Sequence, residues 1–584
     1  MRRSDLLEDL PSLSSNVSRG STFFGQSGVA GFTHRAFTKS MGYDDIDMSR
    51  PVIGICNTFS ELNNCNRHLR ELAEAVKRGV WQAGGFPLEF PTISLGEIYL
   101  SPTSMLFRNL AAMDTEEMIR AQPIDGVVLL ANCDKTVPAA LMGAASADLP
   151  TILVSGGPML SGHYRDQILG ACTDCRRLTT ELQAGTLDAA TYKEIENVIV
   201  PSAGHCMVMG TASTMNCLTE ALGIALPGNG AIPAPDARRL RLAAMSGRRI
   251  VTLVQEGIRP SQILTRQAFE NAITLLSALG GSTNAVVHLP AIAGRMGITL
   301  PLELFDEISK RTPIIANMRP TGQYQMEDLF YAGGIPAVLK QLLPLLHGDA
   351  LTVTGCSVAE NVKDAEIYNP AVIRPLDNPL QSEGGLAILR GNLAPDGAVI
   401  KHAAATPGLL RHQGKAVVFR DMAHLRSRIH DPNLDVSGDD VLVLQNVGPI
   451  GGPGMPEVGN FPIPDKLLKQ GVRDMVRISD GRMSGTAFGT IVLHVAPESA
   501  VGGTIALVQD GDEIELDVAQ RKLHLHVNQA ELSRRRAMWL GPDPAFTRGY
   551  RWIYLNHVTQ APMGCDFDFL RGSDPVEAVE QPKF

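Results

Sequence analysis

Over its first three hundred residues the chain alternates short apolar runs with stretches of helical spacing. Residues 52–56 form an apolar run of strand type, and residues 67–83 follow with Leu69, Leu72, Ala75, Val76 and Val80 on one face. That recurrence at i, i+3 and i+4 is the mark of an amphipathic helix. The same reading predicts strands near 88–93, at 126–131 and at 151–155, with helices at 113–122 and 139–147 between them. The run Val127, Val128, Leu129, Leu130 is apolar on both sides, as in a strand covered on both faces. Strands alternating with helices predict an α/β fold with a parallel sheet and helices on both faces. Residues 170–200, 212–222 and 236–256 read as helical, 280–284 as a turn between helices, and 285–296 as the helix after it. Residues 1–50, rich in Ser, Gly and Arg, read as an irregular lead-in.

The texture changes near residue 380. Beyond it come short β-type runs at 385–390, 416–419, 440–445, 475–478, 504–508, 513–517 and 522–527, punctuated by Gly, Pro and Asp. This pattern predicts a barrel or sandwich. We place a boundary in the Pro- and Asn-containing stretch 375–379. It gives an α/β domain over 1–380 and a β-barrel-like domain over 381–584.

Composition narrows the function. The 584 residues exceed one ordinary domain, and 44% hydrophobic against 19% charged residues supply a large core. The net charge of -9 is spread without a basic block, which argues against nucleic acid or an anionic membrane as partner but not against an acidic small molecule. No run of about 18 apolar residues is present to span a bilayer. Arg2 and Arg3 are followed at once by Asp5, Glu8 and Asp9 rather than by an apolar stretch, so no secretory signal is expected and a cytoplasmic location is. The nine cysteines are an odd number in a long chain; thiols in a reducing compartment are expected, not a disulfide framework.

Four segments put reactive side chains beside glycines or strand ends: Asn63-Asn64-Cys65-Asn66-Arg67-His68, Asn132-Cys133-Asp134-Lys135-Thr136, Ser202-Ala203-Gly204-His205-Cys206-Met207 and Asp480-Gly481-Arg482-Met483-Ser484-Gly485-Thr486. The second lies at the C-terminal end of a buried strand, where open α/β sheets bind ligands. Taken singly, each also fits a structural loop, and the separations of Cys65, Cys133 and Cys206 match no local metal motif. Cys172 and Cys175 have Cys-x-x-Cys spacing, but no second pair or His partner suits zinc; placed on a predicted helix, they read as structural. Cys56 reads as a strand residue. No P-loop and no Gly-x-Ser-x-Gly elbow is present. Gly448–Gly454 contains prolines that lack N–H donors, so it reads as a rigid loop positioning Glu457 rather than a phosphate cradle.

Together these segments resemble the dihydroxy-acid and sugar-acid dehydratase family. The shared wording is Cys65-Asn66, Cys133-Asp134-Lys135-Thr136, Ser155-Gly156-Gly157-Pro158-Met159, Gly280-Gly281-Ser282-Thr283-Asn284-Ala285, Gly391-Asn392-Leu393-Ala394-Pro395, Pro453-Gly454-Met455-Pro456-Glu457 and Asp480-Gly481-Arg482-Met483-Ser484-Gly485. The resemblance implies a hydro-lyase that turns a 2,3-dihydroxy acid into a 2-keto-3-deoxy acid, with the active site between the two domains. It implies a 2Fe–2S cluster (less often 4Fe–4S) on Cys65, Cys133 and Cys206, and Mg²⁺ on Glu97, Asp134, Glu457 and a Lys135 that is often carbamylated. By the same resemblance Ser484 is the base, Thr486 helps bind substrate, Lys135 belongs to the catalytic set, and the assembly is a homodimer or homotetramer. Asn63-Asn64 before Cys65 and His205 before Cys206 depart from common relatives. Gly96–Thr103 and the 549–570 stretch, with His557 and Cys565-Asp566-Phe567-Asp568, look like sugar-acid enzymes of the arabinonate, xylonate, gluconate or galactonate type. In that reading the 549–570 stretch either reaches distal hydroxyls or docks a neighbouring subunit. The alternatives are dihydroxy-acid dehydratase of branched-chain amino acid synthesis and a non-catalytic cluster-binding protein.

Overall fold

A computed structural model describes residues 19–183, 185–458, 461–542 and 546–572; the opening stretch Arg2–Asp9 lies outside them. Four strands, β1 (Val52–Asn57), β2 (Phe86–Pro91), β3 (Gly126–Ala131) and β4 (Thr151–Ser155), form an all-parallel sheet in the order β2-β1-β3-β4. Every residue of β1, β3 and β4 is buried, which requires cover on both faces. The helices Leu69–Gln82 and Ala237–Glu256 pack together on this sheet, and Arg108–Ala121 packs with Thr136–Ala147. Asp236 caps the 237–256 helix by accepting from Arg238 N at 2.8 Å, and Gly257 ends it in the left-handed region. Strands β5 (Gly162–Tyr164) and β6 (Gln167–Leu169) form a small antiparallel pair.

The later part of the chain is an eight-stranded sheet of β7 (Ala387–Leu389), β8 (Gly397–Ile400), β9 (Arg411–Phe419), β10 (Val441–Leu444), β11 (Arg477–Ser479), β12 (Ile491–Ala496), β13 (Glu513–Asp517) and β14 (Lys522–Leu525), in the order β14-β13-β9-β10-β11-β12-β8-β7. The two ends of that order meet. Arg390 pairs with Lys522, Arg390 N donating to Arg521 O and Leu523 N to Arg390 O, both at 2.8 Å. The sheet is thus a nearly closed barrel around Leu389, Val418, Val443, Ile478, Val492, Ile514 and Leu523.

Two expectations are corrected. The lead-in is helical from residue 19, over Arg19–Gly25 and Gly28–Ser40. Its apolar side chains Val29, Phe32 and Phe37 are mostly exposed, so no core-facing stripe marks it. The apolar run 504–508 is a 3-10 turn over Thr504–Leu507, not a strand. It follows Gly502, which sits at φ +78° and breaks extended backbone.

The 549–570 stretch is partly anchored in the interior and partly at the surface, with Trp552, Met563 and Phe569 exposed. Helix Gly549–His557 and the segment after it pack Tyr554, Cys565 and Phe567 against Met105, Leu106, Val287 and Met455. Arg108 Nη2 donates to the carbonyls of Gly564 and Cys565 at 2.7 and 2.8 Å. Asp566 is taken by Arg295 in a fully buried, two-bonded ion pair of 2.6 and 3.1 Å. His557 pairs with Asp568 at the surface. Asp566→Ala strips the buried guanidinium of this carboxylate, leaving it Glu116 alone, and is expected to cost about 3–5 kcal/mol. A thermal or denaturant unfolding curve checks this; an unmoved midpoint would mean the pair does not clamp the C-terminal segment.

Candidate active site

Asn132, Cys133, Asp134 and Lys135 leave the C-terminal end of β3. Cys133 sits at φ +70°, a conformation few non-glycine residues adopt. This bend turns the segment before the helix Thr136–Ala147 begins. The loop after β2 docks on the same helix start: Leu95 N donates to Thr136 Oγ1 at 3.1 Å, and Thr136 Oγ1 donates to Leu95 O at 3.0 Å. Glu97 follows two residues later, with Thr103 Oγ1 donating to it at 3.2 Å and Ser104 Oγ also bonded to it. Glu457 arrives from the barrel side, in the stretch between β10 and β11. It forms a backbone bridge with Arg482, and Val458 N donates to Arg482 O at 2.8 Å. The Gly448–Gly454 loop ahead of it is pinned by Glu498, which accepts from Ile450 N at 3.0 Å and Gly451 N at 2.9 Å. At Gly454, φ +91°, a side chain would strike the Leu106 backbone at 2.7 Å, so this turn admits only glycine.

Carboxylate oxygens of Glu97, Asp134 and Glu457 lie within 4.8 Å of one another. The Lys135 ammonium, fully buried, sits among them, bonded to Asp134 and at 3.3 Å from Glu97 and 3.5 Å from Glu457. Arg482 adds bonds of 2.6 Å to Glu457 and 2.8 Å to Thr103 Oγ1. Burial lifts the Glu97 carboxyl, but Lys135 and Arg482 outweigh it and hold the group at about 2. Burial dominates at Asp134, with Glu97 and Glu457 adding to it, and its pKa is raised. For Lys135, burial and Arg482 oppose the charge, yet the three carboxylates win and its pKa goes up. Three carboxylates against Lys135 and Arg482 leave one net negative charge in a buried pocket. Oxygen donors so placed fit a divalent cation such as Mg²⁺, with the ammonium as its monovalent stand-in.

The thiols gather beside this set. Cys133 Sγ is 3.4 Å from Asp134 Oδ1. Its hydrogen bond with Cys65, added to burial, pushes it well above the usual thiol range. Cys65 is held by Asn63, whose Oδ1 accepts from Cys65 N at 3.1 Å while its Nδ2 donates to Ser94 Oγ at 3.1 Å. Asn132 Nδ2 ties Cys65 O to Gly157 O, at 3.0 Å each. Gly204 N donates to Asn64 O at 3.3 Å, bringing the Cys206 loop alongside, and Cys206 lies within electrostatic reach of Cys65. His205 is buried, which drops its pKa to about 3; its Nε2 has no partner among the described residues. Converging thiols are the donor set an iron–sulfur cluster takes. Cys56 is a buried β1 residue bonded to Thr92.

Ser484 and Thr486 lie two and four residues beyond Arg482, with their hydroxyls 2.9 Å apart. The turn is pressed against the loop that follows Cys206. A Cβ at Gly485 would meet Ser282 at 2.7 Å and Thr211 N at 3.0 Å, so glycine permits the approach. Ser282, from the predicted 280–284 turn, shares a 2.8 Å bond with Thr211. An open cleft of about 540 Å³ lies nearby, lined among others by Thr173, Asp174, Arg319 and Phe488, but not by the carboxylates or Ser484.

Glu97, Asp134, Lys135 and Glu457 therefore meet, with Cys133 bonded beside them, and Ser484 and Thr486 stand together a few residues beyond Arg482. Sequence reasoning passed over Arg482, which bonds Glu457, and Thr103 and Ser104, which bond Glu97. Arg482 lay inside a quoted motif, and a buried arginine between two acids was the missing signal. Cys172 was placed on a helix with Cys175. It stands ahead of that helix, Thr173–Gln183, and its thiol hydrogen-bonds that of Cys206.

A parallel sheet and a nearly closed barrel, with three acids brought together and thiols beside them, define a candidate metalloenzyme. The chain matches the dihydroxy-acid/6-phosphogluconate dehydratase N-terminal model over residues 50–361 and the corresponding C-terminal model over 371–565. It belongs to this dehydratase family. It is similar to the L-arabonate dehydratase of Azospirillum brasilense, 54% identical over 574 residues that cover 96% of this chain and 98% of the relative. The L-arabinonate dehydratase of Rhizobium leguminosarum bv. trifolii (strain WSM2304) is 52% identical over 542 residues, 92% and 94% of the two chains. The 6-deoxy-6-sulfo-D-gluconate dehydratase of Pseudomonas putida is 47% identical over 568 residues, 97% and 98%. Among the described residues no helix is long and apolar enough to cross a membrane.

Proposed function

We propose that the protein dehydrates an aldonate, arabinonate-like in chain length, to a 2-keto-3-deoxy acid. The three-carboxylate set of Glu97, Asp134 and Glu457, with the Cys133 thiol bonded to it, carries this reading; the sugar-acid names of the three relatives support the substrate class. When bound, a divalent cation on Glu97, Asp134 and Glu457 and a cluster on Cys65, Cys133 and Cys206 supply charge withdrawal at the substrate carboxylate and C2 hydroxyl, and a Lewis acid for the C3 hydroxyl.

Ser484, its hydroxyl proton first lost to solvent, acts as an alkoxide that takes the C2 proton and becomes a hydroxyl again, and Thr486 orients it through their shared hydrogen bond. The C2–H electron pair forms the C2–C3 double bond as the C3 hydroxyl leaves, taking up the proton now on Ser484 to depart as water and restoring the alkoxide, and the enol tautomerises to the ketone. Arg482 and Thr103 hold Glu457 and Glu97 in place. Lys135 balances the carboxylates as an ammonium; carbamylated, it would join them as an oxygen donor.

In this reading residues 1–380 supply the thiols, Glu97, Asp134 and Lys135, and residues 381–584 supply Glu457 and Ser484. Nine free thiols suit a cytoplasmic enzyme. The exposed Val29, Phe32, Phe37 and Met41 on and beside the Gly28–Ser40 helix suit a homodimer or homotetramer.

The test is an anaerobic assay with Mg²⁺ of 2-keto acid formation from arabinonate, xylonate, gluconate, galactonate and 2,3-dihydroxyisovalerate. Fastest turnover of an aldonate is expected. Turnover of dihydroxyisovalerate alone would move the protein to branched-chain synthesis and overturn the substrate reading.

A further inference from the structure

One thiol outside the Cys65, Cys133 and Cys206 set bonds to a member of it. Cys172 lies in the turn that follows β6, and its thiol is in hydrogen-bond contact with Cys206. The contact is built into the backbone: Cys206 Sγ also lies 3.1 Å from Ala171 O, and Ala171 N donates to Met207 Sδ at 3.0 Å. Asp174 fixes the turn from the other side, accepting from Gly170 N at 2.7 Å while its own N donates to Gly170 O at 2.9 Å. Cys172 adopts φ +65°, where glycine is at ease and a β-carbon is strained.

The other five cysteines make no such contact with the set. Cys56 bonds Thr92, Cys217 is buried in its helix, Cys565 lies against Met455, and Cys175 and Cys356 are exposed. The left-handed backbone is shared by Cys565, at φ +51°, so it is the thiol neighbour that sets Cys172 apart. Cys172 also lies within electrostatic reach of Asp134 and Glu457, so it faces these acids rather than the core.

We propose that Cys172 is a fourth thiol ligand of the iron–sulfur site in the substrate-free enzyme. The inference rests on Cys65, Cys133 and Cys206 holding a cluster. On binding, Cys172 gives its proton to solvent and forms a sulfur–iron bond; no electron is transferred. The site then carries one more ligand than a cluster with an open iron requires, and the extra one is the replaceable one.

The test compares wild type, Cys172→Gly, Cys172→Ser and Cys65→Ser, each reconstituted anaerobically with iron and sulfide. Glycine suits φ +65°, so Cys172→Gly is expected to fold at least as well as wild type. The readouts are iron and sulfide content, visible absorption, the electron paramagnetic resonance of the dithionite-reduced protein, and iodoacetamide labelling of each cysteine by mass spectrometry. Thr173 lines an open cleft, so the reagent has a path. The expected result is full cluster content in both Cys172 variants with altered absorption and resonance, protection of Cys172 from labelling in the loaded wild type only, and loss of cluster in Cys65→Ser. Spectra that superimpose on wild type, with Cys172 labelled equally fast with and without cluster, overturn the fourth ligand while the three-cysteine site stands. Full cluster retention in Cys65→Ser overturns the three-cysteine reading and this inference with it.

Discussion

Ser484→Ala is expected to lower aldonate turnover by about three orders of magnitude, within the range a positioned acid–base group contributes, while iron, sulfide and Mg²⁺ contents stay at wild-type levels. The Ser484 hydroxyl shares its side-chain hydrogen bond with Thr486, not with a carboxylate or a thiol, so removing it leaves both proposed metal sites intact. The fold should also tolerate the change. Ser484 is partly exposed, and the close approach of the turn to Ser282 depends on Gly485 instead. Single-turnover measurement of 2-keto acid with saturating aldonate gives the answer directly. If the variant kept about a tenth of the wild-type rate, some other group would be the base.

Glu97→Gln is the second large effect, and it separates charge from shape. Glutamine keeps the length of the side chain and can still accept from Thr103 and Ser104. What it removes is one unit of negative charge from a pocket whose surplus over Lys135 and Arg482 is one. At a separation of about 4 Å and an intermediate dielectric, one charge pair contributes roughly 4 kcal/mol before screening and desolvation. Mg²⁺ affinity is therefore expected to fall at least a hundredfold, and activity with it at ordinary Mg²⁺ concentrations. Titration calorimetry with Mg²⁺, or Mn²⁺ followed by paramagnetic resonance, measures it. Unchanged affinity would remove Glu97 from the cation site.

The strands β3 and β4 were legible to the residue because a strand buried on both faces is an unbroken apolar run, and the parallel sense follows from the helices between the runs, whereas the order β2-β1-β3-β4 was not legible. The C-terminal strands were legible mainly as a texture. β8 is four residues opening on a glycine, and β12 was passed over in a run that the barrel buries on both sides. The run at 504–508 shows the limit of reading by apolarity: four or five apolar residues fit a strand or a turn equally, and Gly502 decides.

For the site, residues adjacent in sequence, such as Cys133, Asp134 and Lys135, were readable as a group. The bond between Cys172 and Cys206 was not, because local Cys-x-x-Cys spacing pointed to Cys175 instead. Asp566 was read only as part of a stretch resembling the sugar-acid enzymes. Only the three-dimensional partner, Arg295, shows that it is a structural acid.

The clamp between Arg108 and the carbonyls of Gly564 and Cys565 joins residues 456 and 457 positions apart. At ordinary synthesis rates the ribosome needs roughly half a minute to a minute and a half to travel that distance. During that time Leu106, Arg108 and the Glu97 loop beside them have no C-terminal segment to rest on. Glu457 and Arg482 also arrive late. The nascent chain thus holds Glu97 and Asp134 without Glu457 for most of its synthesis, and the three-carboxylate pocket closes only when the last quarter of the chain arrives.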